Sequence, residues 1–137
     1  MNIFRRETIG EFTVITLDIQ SIDAGNSQSA GKLVLSAMSG NGRNIVDLGA
    51  LRYFDVAGFA TILRWAGGGP QQAEVRFCSR AGTIWALFEL LRARAVVPLY
   101  RNREEAMASF GRTERRTAAV IPLREEQEET IPEQRIA

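Results

Sequence analysis

Asn44-Ile-Val-Asp-Leu-Gly-Ala-Leu-Arg-Tyr-Phe-Asp55-Val-Ala-Gly58-Phe-Ala-Thr61-Ile-Leu-Arg-Trp65 decides the fold. Ile45 and Val46 begin a short, continuously apolar strand, the pattern of a strand covered on both faces. A loop leads to Asp55, a residue type whose carboxylate accepts the free N–H groups at a helix start. The helix predicted over Val56 to Ala66 carries Phe59, Ile62, Leu63 and Ala66 at i, i+3, i+4 and i+7, one core-facing stripe. Gly67-Gly-Gly-Pro70 ends it, since Pro70 cannot continue a helix.

Outward from this stretch the pattern alternates between strands and helices. Ile3 to Arg6 and Phe12 to Leu17 read as two strands joined across Thr8-Ile9-Gly10-Glu11, with Gly10 free to take the positive φ of a tight hairpin. After a polar loop over 18–26, Ala30, Leu33, Val34, Ala37 and Met38 recur at helical spacing. Ser27 or Ser29 is the expected cap of that helix, and Gly40-Asn-Gly42 its stop. Val75 and Phe77 alternate with Arg76 and Cys78 as a fourth strand. Ser79 is a cap for a third helix with the stripe Ile84, Leu87, Phe88 and Leu91. Val96, Val97 and Leu99 form a fifth extended segment, and a last helix runs from Asn102 to about Phe110 with Ala106 and Phe110 on one side.

The order β-β-α-β-α-β-α-β-α predicts an α/β domain over residues 1–111: a mixed sheet of about five strands, an N-terminal hairpin followed by parallel strands, with four helices. Residues 112–137 are rich in Glu and Arg, with prolines at 122 and 132. Such a segment buries too little apolar surface to offset ordering entropy of roughly 1–2 kcal/mol per residue, so a disordered tail is expected.

Composition narrows the chemistry. The chain has 137 residues, 17 basic and 16 acidic side chains, and no histidine. Near-cancelling charge gives no reason to expect nucleic acid as a partner. Without imidazole there is no Ser-His-Asp or Cys-His arrangement. The single Cys78 can form no internal disulfide and anchors no zinc site. It reads as a small buried strand residue. Neither glycine cluster fits a phosphate-binding loop, so both read as turns. The expectation is a protein with no catalytic residues, no cofactor and no metal: not an enzyme. No apolar run reaches the roughly 20 residues that span a bilayer, and the N-terminus lacks a signal-type apolar region. A cytoplasmic location without membrane insertion is expected.

Four features in order resemble the STAS family, the sulfate-transporter and anti-sigma-factor-antagonist domains. Asp55-Val56-Ala57-Gly58-Phe59 is similar to that family's Asp-Ser-Ser/Thr-Gly-Leu junction. Ile22-Asp23-Ala24 resembles its Leu-Asp-Ala, and Phe88-Glu89-Leu90 its Leu-Glu-Leu. Val97-Pro98-Leu99-Tyr100 followed by Glu104-Glu105-Ala106-Met107 resembles its usual ending. The resemblance implies a STAS-like fold and a bacterial transcription regulator of the anti-anti-sigma type, whose partner is an anti-sigma factor or serine-kinase-like regulatory protein. It also implies a phosphorylatable serine after the Asp. Here that position is Val56, and Ala57 follows it, so no phosphorylation is expected. The alternative is a STAS-like structural subunit of a larger assembly, a stress-sensing scaffold or a transporter ATPase complex.

The residues expected to contact a partner are Asp23, Asp55, Val56, Ala57, Gly58, Thr61 and Trp65. Each has a plainer reading. Asp55 caps a helix, a role compatible with contact. Asp23 either meets a partner or orders its loop. Gly58 serves close packing or is merely tolerated in a first turn. Val56 makes a permanently active binder or records drift after a lost switch. Thr61 and Trp65 lie off the apolar stripe, and Trp65 either anchors an interface, as tryptophan often does, or folds against the sheet edge or glycine loop. Trp85, flanking the third helix's stripe, reads as packing.

Overall fold

The computed structural model describes residues 3–119, with side chains through 111. Phe4–Ile9 (β1) and Phe12–Leu17 (β2) pair antiparallel, and Ile9 opposes Phe12 across a two-residue turn. Gly10 adopts φ +60° there, the left-handed geometry that glycine takes without penalty. The first strand is longer than its apolar pattern suggests, because pairing with β2 and not burial sustains Arg6 to Ile9.

Parallel strands follow: Arg43–Asp47 (β4), Glu74–Cys78 (β6) and Leu99–Tyr100 (β7), giving one sheet in the order β1-β2-β4-β6-β7. Ser27–Ala37 (α1), Val56–Ala66 (α2) and Gly82–Leu90 (α3) carry the crossovers. A second, two-stranded parallel pair joins Ser21–Ile22 (β3) to Tyr53–Phe54 (β5). These dipeptides are too short to show any period. Arg103–Ala119 (α4) closes the order. It runs past Phe110, where the expected last helix ends, to Ala119, within the segment read as a tail; residues 120–137 lie outside the described residues.

On one face of the sheet Ile15, Leu17, Val46, Val75 and Phe77 join Ile22, Val34, Ile62, Trp65, Ile84 and Phe88 in a single core. β2 is buried on both faces, as is Asn44–Val46 at the centre of the sheet. Phe54 links the helices, stacking on Phe59 of α2 at 5.9 Å and meeting Phe88 of α3 edge-on at 5.8 Å.

Five expectations need correction, one of them at α3, whose N-cap is Ala81 and not Ser79 and whose expected stripe loses Leu91 to solvent. The buried stripe of α2 is Gly58, Thr61, Ile62 and Trp65, while Leu63 is exposed. The reason is close packing against α1, which favours small and hydrogen-bonding residues on the shared face. α1 answers with Ala30, Gly31, Val34 and Ala37, leaving Leu33 exposed. Its N-cap is Asn26, not Ser27 or Ser29. The fifth extended segment shrinks to Leu99–Tyr100, since Ala93–Ala95 make a single turn of 3-10 helix and Val96 is exposed.

Candidate functional site

The start of α2 is built by one carboxylate. Asp55 sits in extended geometry at the N-cap, where Oδ1 accepts the Gly58 N–H at 2.9 Å. Oδ2 accepts the Ala24 N–H at 3.2 Å. Asp55 thus closes the helix's first turn and pins a loop 31 residues away in sequence.

That loop is self-organised. Asp23 Oδ1 accepts from the Gly25 and Asn26 N–H groups at 2.8 and 3.3 Å, and its carbonyl accepts from Ser27 N–H at 2.8 Å. Asn26 returns the bond: its Oδ1 accepts Asp23 N–H and its Nδ2 donates to the Ser21 carbonyl, each at 2.9 Å. Asp23 therefore orders its loop. The loop's strand β3 is laced to β5 by Arg52 N–H to Gln20 O at 2.8 Å and Asp55 N–H to Ile22 O at 3.3 Å.

Gly58 makes this junction possible. A Cβ there would overlap the Ile22 carbonyl oxygen and crowd Phe54 Cβ. Any other residue would push α2 off the β3–β5 pair. Its role is close packing, and it is buried.

What the scaffold displays is Val56, 86% exposed in the first turn. Ala57 beside it is half-buried, and Tyr53 on β5 is 54% exposed. Tyr53 is absent from the expected contact set, because a two-residue strand shows no alternation by which to place it beside the cap. The first turn carries no hydroxyl: the nearest one along the helix, on Thr61, is buried and donates to the Ala57 carbonyl at 3.0 Å.

Three residues of the expected contact set, Gly58, Thr61 and Trp65, are buried. Trp65 is fully buried, with its indole Nε1 donating to the Gly31 carbonyl at 3.2 Å. A buried tryptophan needs such an acceptor for its one polar atom. Thr61 is buried on the same α1-facing side. Neither side chain, nor Gly58, presents surface in this structure. Ala24, Tyr53 and Val56 are exposed, and Asp23, Asp55 and Ala57 are half-buried.

Elsewhere, polar groups gather on the opposite face of the sheet. Arg103 donates to Asp47 Oδ2 at 2.8 Å and Thr16 Oγ1 at 2.7 Å, with Glu7 at 3.7 Å. Burial alone would lower this guanidinium's pKa, but the hydrogen bond and charge of Asp47 and then Glu7 outweigh it and raise it. Burial and the neighbouring Asp47 push the Cys78 thiol up to about 12, which leaves it protonated and unreactive at neutral pH. Trp85 Nε1 donates to the Ser79 carbonyl at 2.7 Å, and the guanidinium carbons of Arg94 and Arg101 lie 4.9 and 4.8 Å from its ring centre. It walls an open groove of about 420 Å³ with Tyr100 and Glu105. Among the described residues no group of three or more His, Cys, Asp or Glu could hold a metal ion, and no helix is long and apolar enough to cross a membrane.

Neither a family model nor a curated protein matches the sequence. Solved structures do match in fold. An anti-sigma factor antagonist from Mycobacterium paratuberculosis superposes with a TM-score of 0.63 at 15% identity, over 77% of this chain and 91% of that one. An anti-sigma-factor antagonist (STAS) domain protein from Planctomyces limnophilus gives 0.64 at 19%, over 77% and 95%. A murine solute carrier 26 anion transporter in its inward-facing state gives 0.59 at 13%, over 78% of this chain but 18% of that one. The chain has the STAS fold.

Proposed function

We propose that this chain is a non-enzymatic, cytoplasmic protein-interaction regulator of the anti-sigma factor antagonist kind. It docks on an anti-sigma factor or serine-kinase-like protein through the start of α2 and is not switched by phosphate. The observation that carries this reading is Val56: an apolar side chain held almost wholly in solvent by a rigid cap, a rigid loop and a glycine packed on backbone. An exposed apolar residue on a pre-ordered turn loses little entropy on binding. A phosphate, which would add about −1.5 to −2 charge beside Asp55, has no oxygen to attach to at positions 56 and 57.

The test is incubation with the cognate kinase and ATP followed by peptide mass spectrometry. Residues 55–58 should remain unmodified while a complex with the kinase forms. A phosphopeptide covering them, or no complex, would overturn the reading.

The same fold inside the anion transporter favours a second reading, a structural subunit of a larger assembly. Co-purification with transporter or scaffold components in place of a kinase-like protein would select it.

A further inference from the structure

The two edges of the main sheet are unequal. β7, at one edge, is two residues long, which by itself blunts an edge. β1, at the other, is six residues long, and among the described residues nothing pairs with its outer side. Asp18 N–H donates to Ile3 O at 2.7 Å, which fixes the hydrogen-bonding phase of the hairpin. By alternation, Arg5, Glu7 and Ile9 turn their main-chain groups to β2, while Phe4, Arg6 and Thr8 turn theirs outward.

From this edge we infer that the protein forms a two-fold dimer in which β1 pairs antiparallel with β1 of a second copy, extending the sheet across both. The side chains of β1 select the occupant and the register. With Arg6 on the dyad, Phe4 opposes Thr8 of the second copy and every outward group finds a partner, each pair exchanging two N–H···O bonds. In that register Arg5 stands opposite Glu7 of the second copy, and Glu7 opposite its Arg5. Sliding one way sets Arg5 against Arg5; sliding the other sets Glu7 against Glu7. Directly opposed like charges are destabilising and opposite ones favourable, so the charges choose one register among those with the correct phase.

The side chains are free to do this. Arg5 and Glu7 are largely exposed, and their present partners are distant, Asp18 at 3.9 Å and Arg103 at 3.7 Å. The one like-charge meeting, Arg6 at the dyad, is relieved because its Nε donates to the Ala37 carbonyl at 2.7 Å, which draws the guanidinium onto its own helix.

The experiment is sedimentation equilibrium of the full chain, with hydrogen exchange at high and low concentration. The expected result is a mass twice that of the chain and concentration-dependent protection at the amides of Phe4, Arg6 and Thr8. Those of Glu7 and Ile9, already bonded to β2, should not change. Thr8→Pro removes an outward donor without touching the hairpin ladder and should weaken association about tenfold. Arg5→Glu alone should weaken it by about as much, and Arg5→Glu with Glu7→Arg should restore it to within about threefold. A monomer at high concentration, a dimer with no added protection at Phe4, Arg6 and Thr8, or a charge-swapped variant no better than the single reversal would each overturn the inference. The docking face at Val56 is not involved, so binding to a kinase-like partner can fail or succeed independently.

Discussion

The two faces of α2 are made of the same few turns and do opposite things. The inner face, Gly58, Thr61, Ile62 and Trp65, is shut against β3, α1 and the core, with its polar atoms satisfied by backbone carbonyls. The outer face begins with Val56, which touches almost nothing of its own chain. The difference teaches that in this helix packing and exposure are divided between faces. The residues that fix the surface are not the residues that form it.

The division can be broken by substitution, and the effects should descend in order. Trp65→Ala removes a buried indole and its hydrogen bond to the Gly31 carbonyl, so unfolding free energy should drop by about 3–5 kcal/mol in a urea titration. A loss no larger than that of an exposed substitution would dissolve the contrast. Gly58→Ala drives a Cβ into the Ile22 carbonyl, backbone that cannot easily yield. It should cost about 1–3 kcal/mol by the same measurement, and it should impair partner binding although residue 58 is buried. Asp55→Ala loses the cap, worth about 1 kcal/mol, and should speed amide exchange at both Gly58 and Ala24. Acceleration at Gly58 alone would show that the loop over residues 23–26 stands without Asp55. Val56→Ala should change stability by less than about 0.5 kcal/mol, since nothing packs on it.

Much of this architecture is legible in the amino-acid order. Phe12–Leu17 and Val56–Ala66 fall where period and punctuation place them. The capping role of Asp55 follows from residue chemistry, whereas at Gly58 the residues alone leave close packing and a tolerated first-turn glycine both open. The rotation of α2 is not legible. Phe59, Ile62, Leu63 and Ala66 make a good apolar stripe by hydropathy, but Thr61 and Trp65 turn inward against α1, where Trp65 Nε1 reaches the Gly31 carbonyl. That preference belongs to a pair of helices, and one helix's sequence cannot state it. The burial of Trp65 is hidden for the same reason: its acceptor, the Gly31 carbonyl, is a main-chain atom 34 residues away. The β3–β5 pair escapes because Ser21–Ile22 and Tyr53–Phe54 are too short for alternation. With it goes Tyr53, the exposed aromatic neighbour of the cap.

The central claim is that the turn displaying Val56 is a permanent, phosphate-independent grip on another protein. The most direct test is calorimetric titration of the wild type and Val56→Glu against the cognate serine-kinase-like protein. The account predicts unchanged melting but at least about tenfold weaker binding for the variant, because a carboxylate would have to be desolvated at the contact. Equal affinity for the two proteins would contradict it.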